Sequence, residues 1–219
     1  MPSTTSNSLL VAVNNSLNDP GYIKWPKQEL LDHLNDAQKA IVIRRPDAFT
    51  VDIDDFKCVA GTKQIIPVDG LRLIDVPKNE MGKPIKGPFD REILDDNIPN
   101  WHSFNTSTVA EVYIYDERNP KTFYLHPGVA EDTLISLVYS KSPDIITLAE
   151  NDSAETPSTI VVDDAYKNAI YEFMLYRCYA KDAEYAADPN KSSMHFTAFR
   201  SELGEKSQAD GAMAGITKD

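Results

Sequence analysis

Cysteine is scarce in this chain: Cys58 and Cys178 are the two among 219 residues. They lie far apart, and neither belongs to a C-x-x-C pair or a spaced Cys/His set, so the sequence offers no disulfide framework and no structural zinc site. Buried free thiols in a reducing compartment are expected. Histidine is almost as rare. His33, His102, His126 and His195 are scattered, with no fixed-spacing partner for any of them. Gly-x-Ser-x-Gly elbows, Cys/His nucleophile pairs and glycine-rich nucleotide fingerprints are absent. Long apolar runs are missing as well. Near the start the longest is Leu9 to Val13, too short for a signal peptide or a membrane span, and the residues ahead of it carry no basic region. The expectation is a soluble protein made inside the cell. Positive charge is in deficit: 34 acidic against 22 basic side chains leave a net charge of -12. That balance argues against a protein that works by neutralising phosphates or by holding an anionic membrane.

What the chain does have is enough apolar sequence, 42% hydrophobic, for a sizeable core in one domain or two small ones. Leu9, Leu10, Val13 and Leu17 recur at helical spacing and are stopped by Asn18-Asp-Pro-Gly21. Trp25-Pro26 opens a stronger helix with Leu30, Leu31, Leu34, Ala37 and Ile41 on one stripe, Arg44 and Arg45 in its last turn and Pro46 at its end. From there the period shortens. Phe56 to Ala60, Gln64 to Pro67 and Leu71 to Val76 read as a meander of small strands. Residues 77–108, rich in proline and glycine at first, read as one long loop, of the kind that is functional or clamped to a neighbour. Val109 to Tyr115, the Asp116-to-Pro120 turn and Lys121 to Leu125 form a hairpin that Pro127-Gly128 ends, and Thr133 to Tyr139 adds a strand. Beyond a polar connection at 151–158, Asp163 caps a long helix with Tyr166, Ile170, Phe173, Met174, the Arg177 stem and Cys178 on its apolar face. A last helix starts near Lys191, carries Phe196, Phe199 and Leu203, and stops at Gly204. The expected fold is α+β: N- and C-terminal helices in one bundle (1–50 and 151–206), a central antiparallel sheet or small sandwich (51–150), and a flexible tail (207–219).

Few groups promise chemistry. Asp32, His33 and Asp36 share a helical face, but neighbouring acids on an acidic protein read as solvated surface before they read as a metal site. Packing or capping is likewise the reading for His102 and His126. Gly61-Thr-Lys63 and Gly82-Lys83 lack the second glycine and the following helix of a phosphate loop, which leaves turn glycines. Asp163 and Asp164 precede a helix and read as caps rather than a catalytic pair. Accordingly no enzyme activity, cofactor or metal is expected. The residues marked for interaction are Lys83, Lys86 and Trp101 in the long loop and Met213 and Ile216 in the tail.

Four phrases, in order along nearly the whole chain, carry a resemblance. They are Trp25-Pro-Lys-Gln-Glu-Leu-Leu-Asp-His-Leu-Asn-Asp-Ala-Gln38, Gly61-Thr-Lys-Gln-Ile-Ile-Pro-Val-Asp-Gly-Leu-Arg-Leu-Ile-Asp75, the hairpin from Trp101 to Pro127, and Tyr171-Glu-Phe-Met-Leu-Tyr-Arg-Cys-Tyr-Ala-Lys-Asp182. Together they resemble the head-to-tail adaptor proteins of short-tailed bacteriophages. The resemblance implies a virion protein of the tail or neck, assembled in the host bacterial cytoplasm as a homo-oligomeric ring of about twelve copies. Its implied partners are the portal protein, the tail nozzle protein and tail fibres. DNA would pass through the lumen without specific binding, and no membrane is involved. The residues also leave open a monomeric intracellular binding module or enzyme with a pocket between sheet and helices, and a neck or tail-completion protein of a long-tailed phage.

Overall fold

Two stretches of helical sequence, one from each end of the chain, fold into a single unit. The structure is a computed structural model that describes residues 4–103, 105–152, 158–181 and 189–216, without the side chains of 150, 151 and 205–216. In chain order its elements are α1 (Ser6–Leu17), α2 (Lys27–Arg44), β1 (Thr50–Lys57), β2 (Gly61–Ile65), β3 (Gly70–Asp75), β4 (Lys86–Phe89), α3 (Arg91–Asn97), β5 (Val112–Tyr115), β6 (Thr122–Val129), β7 (Leu134–Lys141), α4 (Leu148–Asn151), α5 (Lys167–Lys181) and α6 (Pro189–Ile216). Short 3-10 turns lie at Pro46–Ala48, Trp101–Ser103 and Asp164–Tyr166. The helical unit takes Met1–Ala48 and Pro143–Asp219, and the β-rich unit takes Phe49–Ser142. The fold is α+β, with helices at both ends of the chain.

In the helical unit the sequence stripe of α2 is the core stripe: Leu30, Leu31, Leu34, Ala37 and Ile41 are fully buried. α5 packs against α1, α2 and α6, burying Ile170, Phe173, Met174 and Cys178. Polar side chains join segments distant in sequence. The Asn35 amide makes two bonds to Ile146, donating to its carbonyl and accepting from its amide, each at 3.0 Å, and Gln38 Oε1 accepts from the Val161 amide at 2.6 Å. Deleting a buried large side chain here removes its transfer free energy and leaves a cavity. Leu34→Ala, Ile41→Ala and Phe173→Ala should therefore each destabilise by about 2–5 kcal/mol in denaturant unfolding, while exposed Asp32→Ala should leave the midpoint in place.

Asp19 closes the α1–α2 connection. Its carboxylate oxygens accept from the backbone amides of Ile23 (3.1 Å), Lys24 (3.2 and 3.0 Å) and Trp25 (2.9 Å). The Trp25 amide, joined by those of Lys24 and Ile23, holds the carboxyl below its usual value of 3.8 against the opposing effect of burial. A carboxylate favoured in the folded state adds stability above its ordinary titration range, and that stability is lost as pH falls through the lower folded value. Asp19→Ala should lower the thermal midpoint at neutral pH, Asp19→Asn by less, and both variants should narrow their deficit in strong acid. Equal midpoints for wild type and Asp19→Ala at pH 7 would show the loop to be idle.

The β-rich unit is built from two sheets, a three-stranded β1-β7-β3 and a four-stranded β2-β6-β5-β4. They share one core, to which Leu73, Ile135, Leu137 and Tyr139 come from the first and Tyr113, Phe123, Leu125 and Val129 from the second. The β5–β6 hairpin forms about the expected turn, with Val112 opposite His126 and Tyr115 opposite Phe123, but its first strand starts at Val112 and not at Val109. Several expectations are corrected. β1, β2 and β3 are no meander: β1 and β3 flank β7 while β2 joins the other sheet, so consecutive strands alternate between layers. β1 begins at Thr50, well before Phe56, and Cys58 follows it. β6 runs through Pro127-Gly128 to Val129, because its pairing with β5 ends at His126, where proline's missing N–H is not needed, and its pairing with β2 is irregular there. The 77–108 loop contains β4, α3 and a 3-10 turn. β4 buries none of its four residues and α3 buries Leu94 alone among its own, so neither leaves a periodic trace. β4 also pairs parallel with β5, unlike the other strand pairs.

α6 passes through Gly204 instead of stopping there, and the segment expected as a flexible tail is helical as far as Ile216. A glycine inside a helix costs about 1 kcal/mol relative to alanine, which packing elsewhere on a long helix can offset. Residues 153–157, 182–188 and 217–219, which include parts of the expected connection, the α5–α6 boundary and the tail, lie outside the described residues.

Candidate interaction surfaces

Several side chains with reactive groups are engaged in structure. Burial pushes the thiols of Cys58 and Cys178 up to about 12, which keeps both protonated and unreactive at neutral pH. The Asp163 carboxylate accepts from the Ala165 amide at 2.8 Å at the start of the turn leading into α5, and Asp164 accepts from the Thr4 amide at 2.9 Å, so this acid pair caps and tethers. Gly61 (φ +105°) and Gly82 (φ +82°) occupy left-handed backbone at the opening of β2 and in the turn that the Gly82 amide closes onto the Asn79 carbonyl. His195 Nδ1 lies 2.7 Å from Glu172 Oε2 across α5 and α6, with its ring stacked on Tyr179. Among the described residues no group of three or more His, Cys, Asp or Glu side chains is placed to hold a metal ion.

His33 is nearly buried on α2, and its Nε2 has no hydrogen-bond partner among the described residues. Glu29 Oε1 lies 3.8 Å from that atom. Burial, helped by the nearby Arg177 guanidinium, lowers its pKa from 6.5 against the pull of Glu29, Asp36 and Asp32. Since the folded state resists protonation here, stability should fall as pH drops below about 6.5 and level off below the folded value. Thermal midpoints of wild type and His33→Gln between pH 7.5 and 5 test this: the variant should show the flatter profile, and parallel profiles would remove His33 as the cause.

Of the residues singled out for interaction, Trp101 is 1% exposed and belongs to a core. It stacks on His102 (3.7 Å between centroids) and meets Tyr124 and His126 edge-on, and its indole N–H donates to Asp95 Oδ1 at 2.8 Å. His102 and His126 thus converge on one tryptophan, and Thr62 Oγ1 holds His102 Nδ1 at 2.8 Å. Lys83 is exposed and bonds Glu111 Oε1 at 3.3 Å. Lys86 is exposed on β4, where its amide donates to the Glu111 carbonyl. Met213 and Ile216 fall on α6, but their side chains lie outside the described residues.

Sequence reasoning missed other apolar groups that reach solvent. Val68 (97% exposed) and Met81 (93%) stand on turns of the β-rich unit, and Ile23, Ile43, Ile145 and Met194 are exposed in the helical unit. Scattered exposed apolar residues are ordinary, but Met81 borders a shallow cleft with Glu80, Lys83, Glu131 and Leu134. A larger cleft of about 690 Å³ opens where the ends of β4 and β5 meet α3. These are surfaces with apolar points and charged rims, which is how protein contacts are built.

Among curated proteins none matches the chain. The family model described as SU10 adaptor protein matches residues 4–218. That span takes in both units and agrees with the resemblance to phage head-to-tail adaptors, and the chain belongs to the SU10 adaptor protein family.

Proposed function

We propose that this protein is a structural virion component, a head-to-tail adaptor that forms a closed homo-oligomeric ring of about twelve copies between the portal and the tail nozzle. The family match over residues 4–218 carries this reading. Charge supports it: at -12 per chain, a lumen lined by many copies repels DNA and lets it pass without sticking. Exposed apolar side chains such as Val68, Met81 and Ile23 supply anchors that neighbouring subunits or partners can cover. Lys83, Lys86 and the α6 end with Met213 and Ile216 are contact residues in this reading, and tail fibres are a further partner. The protein works without catalytic turnover, by joining other components. A cryo-electron reconstruction of the native particle tests it directly. The expected density is a ring of this chain below the portal vertex. Particles without it, or a copy bound outside the DNA path, would refute the reading.

A further inference from the structure

The outer face of the four-stranded sheet is covered at one end. Leu94, Ile98 and Trp101 lie over Val112, Ile114 and Tyr124, while the cleft of about 690 Å³ leaves part of Tyr124 accessible above the buried Ile114. Phe89, 39% exposed, and Tyr115 add aromatic surface to its lining. Charge on this lining is one-sided: Asp90, Glu92, Asp95, Asp116 and Glu117 stand against Arg91 and Arg118. Both guanidinium groups are already held, Arg91 by Asp95 at 3.3 Å and Arg118 by Asp116 at 2.8 Å. Glu117 meets Arg72 at 3.0 Å yet its side chain is 80% exposed. The exposed Glu92 carboxylate acts on Arg118 through its charge but accepts no hydrogen bond among the described residues. An aromatic lining under surplus carboxylates fits long cationic side chains, whose methylene stems lie on rings while the head groups meet acids. The cleft already contains one such arrangement, with the Arg91 guanidinium 6.0 Å above the Tyr124 ring.

We propose that this cleft seats a lysine- or arginine-bearing segment of a partner protein, its aliphatic stems on Phe89, Tyr115 and Tyr124 and its charges toward Glu92 and Glu117. The inference does not depend on ring formation, since the β-rich unit alone supplies every group. The probe is the synthetic peptide acetyl-Lys-Leu-Lys-Tyr-Lys-Leu-Lys-amide, added to the full-length ¹⁵N-labelled chain at low salt. The Trp101 indole N–H, bonded to the cleft residue Asp95, should shift saturably together with amides of 90–95 and 115–119, while the Trp25 indole in the helical unit stays still. The same peptide with glutamate for lysine should leave all these signals in place. Glu92→Lys combined with Glu117→Lys should weaken binding at least tenfold while the spectrum of the free protein stays native. Shifts spread over the helical unit, a response to the acidic peptide, or an unchanged affinity in the double variant would each overturn the proposal. So would concentration-dependent shifts of the cleft signals without peptide, which would give the cleft to a second copy of this chain.

Discussion

Trp101→Ala is expected to destabilise the β-rich unit by about 3–5 kcal/mol, the range for removing a large buried aromatic side chain. Trp101 fills the centre of a cluster separate from the main core, with Leu94 and Ile114 buried beside it and Ile98, Val112 and Tyr124 packed around it. Its loss leaves α3 with one buried residue of its own, Leu94, to hold it on the sheet. It also removes the donor to Asp95, whose carboxyl sits below its ordinary value chiefly because of that indole N–H. Two readouts follow. The denaturant midpoint should fall, and hydrogen exchange should quicken through Arg91–Asn97 before it quickens in β6 and β7, whose core of Phe123, Leu125, Ile135 and Leu137 does not involve the tryptophan. Trp101→Phe keeps an aromatic ring in place and should lose less. An unchanged midpoint in Trp101→Ala would mean that α3 and its turn are held by something other than this cluster.

The same cluster shows what the sequence could and could not reveal. Helices whose buried stripe runs over three turns or more, α2 and α5, were legible because their apolar buried positions repeat at helical spacing, with Pro26 and Pro46 bracketing α2 and Asp163 capping the turn that leads into α5. The β5–β6 hairpin was legible because its strands are dense in β-branched and aromatic residues around an Asp-Glu-Arg-Asn-Pro turn. α3 was not. Its seven residues bury one side chain, and the group that fixes it, Trp101, lies beyond its end, so no local pattern marks it. Layer assignment was equally hidden. β1, β2 and β3 follow one another with short turns, yet each sheet is completed by strands from the second half of the unit, a choice made by long-range packing around Ile135, Leu137 and Tyr139. Trp101 stood out by type, and type alone pointed outward to a partner. Its neighbours turn it inward. The -12 charge and the absence of ligand spacing were readable directly, whereas the carboxylate-lined cleft needed β4, α3 and the hairpin turn to be brought together in space.

Deleting residues 207–219 should leave the folded monomer with an unchanged thermal midpoint while lowering its recovery in portal-bound rings at least tenfold. α6 is 28 residues long and α5, its main partner, is 15. At 1.5 Å per residue α6 outruns α5 by about 20 Å. In the first half of α6, Phe199 and Phe196 meet Phe173 and Tyr176, and Ser192 and His195 bond α5. The last twelve residues of α6, Glu-Lys-Ser-Gln-Ala-Asp-Gly-Ala-Met-Ala-Gly-Ile, have two glycines and few large apolar groups. Each glycine costs about 1 kcal/mol of helix propensity, and a helix of a dozen residues is marginal in water by itself. By helix propensity alone this end therefore adds little to the stability of the helical unit. Under the adaptor reading it instead offers a narrow helix, with Met213 and Ile216 among small residues that allow close backbone approach, to a surface on the portal. One such contact is weak. If each copy contributes about 1.4 kcal/mol, removing it costs tenfold per copy, and in a ring the copies act together, so the loss multiplies. Particle incorporation of the truncated chain is the measurement. Wild-type incorporation with a wild-type midpoint would move attachment away from this end, to the remaining helices or to the 77–108 segment, whereas a lowered midpoint would make the end part of the fold.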